Sequence, residues 1–441
     1  MSSTSAPAIS PRVLKSLADP NSTLKTVLVL GGAYGGLQAA TTMAKSLVSS
    51  DGKGFRVVIV DRNSHFNHLY IFPRCSLLSD HTPKAFIPVA PQIEAPHIYL
   101  QSTLLSLDSE TATVAIPPTL SPTSEPEQVS IPYTYLVYAL GGSLAGPMDI
   151  SQGSGMKPDG AKRLSIVKEK MDELVRQQKE EIIKGRVLII GGGALGIQLA
   201  TDIKEIYPSL EVSLLHSRER LMPRFDKFLH DQAKKRFDAL GVKYFLGERA
   251  VIPPGGFKDL RVESREVLTV KGTHSIGTDF VITCNGQCPQ TQYLLTSFPD
   301  SVKSDTSKQA RVLNTMQLES GPDTGLPVLG GRLFAIGDCA DSQGVIDAGY
   351  TAWQQGNIAS RNILRMIRKE NPEMVSSDLD LPNDQLEDYE LQKPAIKLTL
   401  GLKHWAIQNA EELTEGDDGK EDLGAELMWT HMKCDPTDKW A

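Results

Sequence analysis

TVLVLGGAYGG, residues 26–36, and RVLIIGGGALG, residues 186–196, share one layout. Each is a continuous apolar run, as in a buried parallel strand, that breaks into a glycine-rich turn. Behind the first turn come a helical stretch, LQAATTMAKSLV, and a strand, FRVVIVD, ending in Asp61. Behind the second come the helix IQLATDIKEI and the strand EVSLLHS, which runs out at His216-Ser217-Arg218. Two βαβ units of this form predict an α/β protein with two Rossmann-like domains, each holding a dinucleotide.

In the first turn Gly31 makes the tight bend and Gly36 lets helix and strand pack closely. Gly32, Ala33, Tyr34 and Gly35 lie between them, and the helix start offers amides and partial positive charge to a pyrophosphate. Ala33 stands where glycine is usual, a modest obstacle of one methyl group. Asp61, followed by Arg62, closes the next strand, where a carboxylate hydrogen-bonds ribose hydroxyls. A glycine-rich turn can also join strand to helix with no ligand, and this motif alone leaves that reading open. In the second turn Gly191, Gly193 and Gly196 complete the G-x-G-x-x-G spacing. No carboxylate ends its strand. His216 stands there, and Arg218 offers a planar fork that can accommodate a 2′-phosphate. A solvated loop arginine is the competing reading.

A third element lies about 300 residues beyond the first turn: GRLFAIGDCAD, 331–341, an apolar strand ending in Gly337-Asp338. A carboxylate at that point can bind the ribityl hydroxyls of a flavin. A helix then begins near Ala348-Gly349, and its positive end favours the negative charge of a reduced flavin ring. Ala139 and Gly141 of VYALGGS (137–143) and Gly286 of VITCNGQC (281–288) complete the candidate cofactor-binding turns.

These fingerprints, with DRNSHFNH from Asp61, Arg74, EIYPSLEVSLLHS and FAIGDCAD, resemble the two-dinucleotide-binding-domain flavoprotein reductases of the pyridine nucleotide-disulfide oxidoreductase superfamily. Within them the chain is similar to apoptosis-inducing-factor homologues of the ferroptosis-suppressor (AMID) type. The resemblance covers about residues 24–370. It implies FAD contacts at Gly31–Gly36, Arg74, the backbone near Leu104, and Asp338. It also implies oxidation of NADPH or NADH with a quinone as acceptor. Ala33, Leu140 in place of the usual threonine, and Ser2 in place of a myristoylated glycine depart from the pattern, and the last puts a lipid quinone in doubt.

Composition bounds the rest. With 441 residues, 40% hydrophobic and 22% charged, the chain supports two or three soluble domains, and a net charge of −7 argues against nucleic acid as partner. Five scattered cysteines fit a reducing, cytoplasmic compartment, with a mitochondrial association left open by the Ser-rich start. No apolar run spans a bilayer, so membrane contact is expected to be peripheral at most. Nine histidines show no metal-ligand spacing, and no metal is expected. The expected division is a disordered tail (1–23), an FAD domain in two parts (24–160 and 301–372), an NAD(P)H domain (161–300) and a small C-terminal α+β domain (373–441). Cys75 is expected to have no redox role, although a single redox cysteine beside the flavin is the alternative. The partner is a small electron acceptor, quinone-like or another metabolite. A flavin-dependent oxidase or oxygenase, and a signalling scaffold that keeps FAD structurally, fit the same motifs.

Overall fold

Strand β1 (Leu24–Leu30) is apolar and fully buried from Val27 to Leu30, which places it in the middle of a parallel sheet. It leads through the first glycine turn into α1 (Tyr34–Ser46) and on to β2 (Lys53–Asp61). Further along come β3 (Tyr135–Tyr138), then β4 (Arg186–Ile190), α2 (Ala194–Ile206) and β5 (Glu211–His216). Last are β6 (Leu333–Ala335) and α3 (Gly349–Glu370). The structure is a computed structural model describing residues 9–50, 52–89, 92–121, 125–144, 146–257, 260–285, 288–379 and 381–439.

The chain divides into two compact units. The first takes residues up to Phe66, Pro88–Gly142 and Cys288–Gln392. Its sheet runs Ile98–Gln101, β2, β1, β3, β6, these five parallel, with the short strand Ser49–Ser50 antiparallel to the start of β2; Leu30 is in register with Val60 and Tyr138, and Tyr138 with Ala335. The second unit takes Asn67–Ile87, Ser143–Gln287 and the chain from Lys393. Its sheet runs Lys243–Leu246, β5, β4, Phe280–Thr283, again parallel, with Ile190 opposite Leu215 and Thr283. Sequential α/β winding thus occurs twice, as the doubled motif requires.

Several expected boundaries differ: residues 67–87 and 143–160 belong to the second unit and 288–300 to the first. The tail is not a domain of its own. Ile396–Thr399, Trp405–Gln408 and Leu413–Gly416 form a three-stranded antiparallel sheet that places Leu398, Leu400 and Ala406 in the core of the second unit. Three short strands bury too little on their own, so they share a neighbour's core. Nor is the N-terminal segment wholly tail. Pro11–Ala18 is a helix that starts with the Ser10 hydroxyl accepting from Val13 N and buries Leu14 and Leu17. Arg56 fixes it, donating to Ser16 Oγ at 2.9 Å and to Ser16 O at 2.7 Å. Among the described residues no helix is long and apolar enough to cross a membrane.

Candidate functional site

The two glycine turns have nearly the same backbone. Gly31 and Gly191 both sit at positive φ, +104° and +129°. A Cβ on Gly31 would fall 2.2 Å from Ala139 O, and one on Gly191 2.6 Å from Cys284 O. Glycine is therefore required twice over, by dihedral and by space. A Cβ on Gly36 would lie 1.9 Å from Gly31 O, and one on Gly196 1.9 Å from Gly191 O. Ala33 (φ −85°, ψ −163°) and Gly193 (φ −84°, ψ −175°) are both helix N-caps in extended backbone that any residue adopts. Alanine is thus conformationally free at the middle position. Neither helix start has a side-chain cap, so its first amides are left for a ligand.

In the first unit the predicted residues converge. Gly32 N donates to Asp61 Oδ2 at 2.6 Å, and Asn63 donates from its backbone N (2.7 Å) and its Nδ2 (3.0 Å) to Asp61 Oδ1. Burial pushes the Asp61 carboxyl up; the amides of Asn63 and Gly32 and the charge of Arg62 oppose it. Tyr34 opens α1 with its ring edge-on to Phe66, centroids 4.9 Å apart, and against Gly349, where α3 begins at its N-cap Ala348. Gly35 and Gly356 bring α1 and α3 into backbone contact; a Cβ on Gly356 would lie 2.4 Å from Gly35 O. Ala139 N donates to Leu30 O, and Gly141, at φ +64°, follows at the end of β3. Gly337, at φ +75°, turns the chain out of β6 and donates from its N to Gln355 Oε1 at 2.7 Å.

Asp338 is a part-buried carboxylate for which no protein donor is found among the described residues. Burial and the neighbouring Asp347 carboxylate push it up to about 7. An anion left without donors in such a place is poised for the hydroxyls of a ligand. The uncapped helix start, Asp61 and the unpartnered Asp338 together fit the pyrophosphate, ribose and ribityl groups of FAD.

In the second unit Gly192 N donates to His216 Nδ1 at 3.0 Å, so His216 stands where Asp61 stands in the first. Burial lowers the His216 pKa, a backbone hydrogen bond to Arg220 opposing and the charge of Arg218 adding to it, and Nδ1, which accepts from Gly192 N, carries no proton. The following loop is pinned: Met222 N donates to Gly192 O, Glu248 N to His216 O, and Gly247 N to Arg218 O. Arg218 is exposed on this fixed loop, and among the described residues its side chain has no partner.

Arg74 corrects the sequence reading. It lies in the second unit, fully buried, with Nε 2.7 Å and Nη2 3.0 Å from the Asp202 carboxylate. Its remaining donors go to the carbonyls of Gly401, Leu402 and Glu421. No donor is left for a flavin pyrophosphate, so the expected FAD contact is replaced by a clamp on the tail. Leu104 lies in the first unit on the strand Thr103–Leu107, and its carbonyl already accepts from the Tyr293 hydroxyl at 2.6 Å. Gly286 falls outside the described residues. Cys75 is buried, its thiol donating to His81 O at 3.4 Å. Three participants escaped sequence reasoning: Asn63, which caps Asp61; Tyr99, whose ring abuts Gly32; and Gln355, which holds the Gly337 turn. Asn63 alone had a local signal, two residues past the strand-ending aspartate.

The family model for pyridine nucleotide-disulphide oxidoreductases matches residues 25–356. Fe-regulated protein 8 of Mycosarcoma maydis is 35% identical over 427 residues, 94% of this chain and 97% of that protein. Ferroptosis suppressor protein 1 of Mus musculus is 26% identical over 352 residues, 78% of this chain and 81% of that protein. Among solved structures, NDH2 from Plasmodium falciparum in complex with RYL-552 shares the fold at TM-score 0.66 and 11% identity, covering 93% of this chain and 95% of that one. The sulfide:quinone oxidoreductase of Aquifex aeolicus does so at TM-score 0.62 and 14% identity, covering 93% and 90%. Two parallel-sheet units with matched glycine turns, together with this coverage, place the chain in the pyridine nucleotide-disulphide oxidoreductase family.

Proposed function

We propose that the protein is an FAD-dependent NAD(P)H oxidoreductase that passes electrons to a quinone-like acceptor. The observation that carries this is the pairing of two uncapped glycine turns with one unpartnered carboxylate, Asp338, beside the first. Bound flavin supplies the redox chemistry, accepting a hydride from the nicotinamide and releasing electrons to the acceptor. The chain's own residues hold and orient. First-turn amides of α1 and α2 take the two pyrophosphates, Asp61 the adenosine ribose of FAD, and Asp338 the ribityl hydroxyls.

We read the route as flavin-only. No disulfide joins the five cysteines, and burial pushes the Cys75 and Cys339 thiols up to about 12, so neither is a thiolate at neutral pH. A flavin-only route then needs an acceptor that takes electrons from flavin directly, and quinones do so. The quinone in the name of the Aquifex relative's fold supports that class. NADPH is the favoured donor, since Arg218 is exposed and, among the described residues, without a side-chain partner on a pinned loop, and neutral His216 rather than a carboxylate ends β5. Five cysteines outside any disulfide suit a reducing compartment such as the cytoplasm, with any membrane contact peripheral.

The test is anaerobic reduction of the flavoprotein followed by reoxidation. NADPH should bleach the flavin within one turnover, and quinones of several tail lengths should restore its colour faster than oxygen does. A flavin that NADPH and NADH leave oxidised would reject the reading in favour of a scaffold. Reoxidation by oxygen alone would make the protein an oxidase.

A further inference from the structure

In the first unit residues 381–391, a segment without helix or strand, are fastened along α3. Arg361, Arg365 and Arg368 stand at i, i+4 and i+7, one face of the helix, and each is bound to this segment. Arg361 clasps the Glu387 carboxylate with two donors, its Nε at 2.8 Å, and Arg365 Nη1 adds a third at 3.2 Å. Arg368 donates to Asp384 Oδ1 at 2.7 Å and to the carbonyls of Leu381 and Asn383, both at 2.9 Å. Among them the buried Asn362 pairs with both backbone groups of Glu387, accepting from its N at 2.7 Å and donating to its O at 2.8 Å. With no ladder of its own, the segment takes its backbone partners from these side chains.

The segment ends against the turn that carries Asp338. Tyr389 N donates to Asn314 O at 2.8 Å, and the Tyr389 side chain, 8% exposed, closes a cleft lined by Asn314, Met316, Ser342 and Gln343. Its hydroxyl lies beside the Gln355 side chain without closing a hydrogen bond to it or to any other described residue. Gln355 grips the turn on both sides: Oε1 accepts from Gly337 N at 2.7 Å, and Nε2 donates to Ser342 Oγ at 2.8 Å, with both side chains buried. A buried hydroxyl without a partner costs stability that an opened segment would recover in water, while the arginine contacts hold the segment shut. Opposed terms of this kind make a device that can open locally without unfolding the sheet.

We propose that residues 381–391 are a latch on the flavin site: closed, Tyr389 shields Gln355 and keeps the Gly337–Asp338 turn rigid; open, the turn loosens and flavin leaves. This rests on the FAD reading of Asp338 given above. The means is competition by water. With Tyr389 withdrawn, water reaches the Gln355 amide and competes for the two hydrogen bonds that hold residues 337 and 342 together.

Flavin release from the holoprotein, followed as the rise in flavin fluorescence after dilution, tests this, with hydrogen exchange of the flavin-free protein as a second readout. Glu387→Gln removes the anion from Arg361 and Arg365, and Tyr389→Ala removes the shield; each should speed release at least fivefold. In both, amides at 337–342 should exchange at least fivefold faster, while those of β1 and of the second unit keep the wild-type rate. Tyr389→Phe keeps the ring and removes the orphan hydroxyl, so its release should be no faster than wild type and its melting temperature no lower. Release at the wild-type rate in both Glu387→Gln and Tyr389→Ala overturns the proposal. So does exchange that rises equally throughout the first unit, which would make the segment a general brace. A chain that takes up no flavin, yet shows the local change in exchange, would sink the FAD reading and leave the latch on the turn in place.

Discussion

Asp61 and His216 hold the same station in their two units: Gly32 N donates to Asp61 Oδ2 at 2.6 Å, and Gly192 N donates to His216 Nδ1 at 3.0 Å. One hydrogen bond is kept while the charge is removed. A carboxylate at this station binds ribose hydroxyls and repels a 2′-phosphate; a neutral imidazole does neither.

It follows that His216→Asp should carry the electrostatics of the first unit into the second. Use of NADPH should fall at least tenfold in kcat/KM, and use of NADH should hold or improve. Arg218→Ala should weaken NADPH alone, since a charge-assisted hydrogen bond contributes about 1.5–3 kcal/mol, with partial solvation favouring the lower figure. Steady-state kinetics with both nucleotides checks this. A wild type that strongly prefers NADH, or an Arg218→Ala variant impaired equally with both, would return Arg218 to the solvent.

The turns make a prediction about folding as well. Gly36→Ala and Gly196→Ala would each drive a methyl into backbone, 1.9 Å from a carbonyl oxygen. Neither neighbour is a flexible side chain that can swing away, so each variant should lose several kcal/mol or fail to fold. Gly193→Ala meets nothing within 4 Å and needs no unusual dihedral. Its melting temperature should stay within a few degrees of wild type, with any defect confined to nucleotide affinity.

Much of this was legible in the chain because the signals are local. Gly31, Gly36, Gly191 and Gly196 announce themselves by spacing, and β1 and β4 by unbroken apolar runs. Arg74 misled for the opposite reason. Its partner Asp202 is 128 residues away and its carbonyl acceptors more than 320, so nothing nearby marks it as a buried clamp rather than the FAD contact that the resemblance implies. The tail misled in the same way: KLTLGLKHWAI has strand-like alternation, but whose core it completes is a long-range fact.

Arg74 therefore yields a prediction contrary to its first reading. Arg74→Ala leaves Asp202 buried without its cation, a loss of about 3–5 kcal/mol. Thermal unfolding should fall sharply, while the flavin bound per folded molecule stays at the wild-type ratio. Arg74→Met with Asp202→Leu removes both charges and should recover part of the stability. Flavin loss in variants whose second unit remains fully folded would restore Arg74 to the cofactor site.

Asp338 sets stability against binding. Its pKa is raised in the flavin-free fold to about 7, from an ordinary value of 3.8, by burial and by Asp347. A raised carboxyl favours the folded state when protonated, so its stabilising contribution is complete below about pH 4 and is lost as pH rises through 7. Above pH 7 the flavin-free protein holds an ionised, donor-poor carboxylate at a cost on the order of 4 kcal/mol. Asp338→Asn removes that charge. At pH 8 the flavin-free variant should melt a few degrees higher than wild type, and the difference should shrink on titration toward pH 4. Flavin retention should move the other way, because the amide is a weaker acceptor for ribityl hydroxyls than a carboxylate. Differential scanning fluorimetry of stripped protein across pH, with flavin fluorescence after gel filtration, reads both effects. A variant with lower stability at pH 8, or one that keeps its flavin as tightly as wild type, would show that Asp338 is not waiting for a ligand.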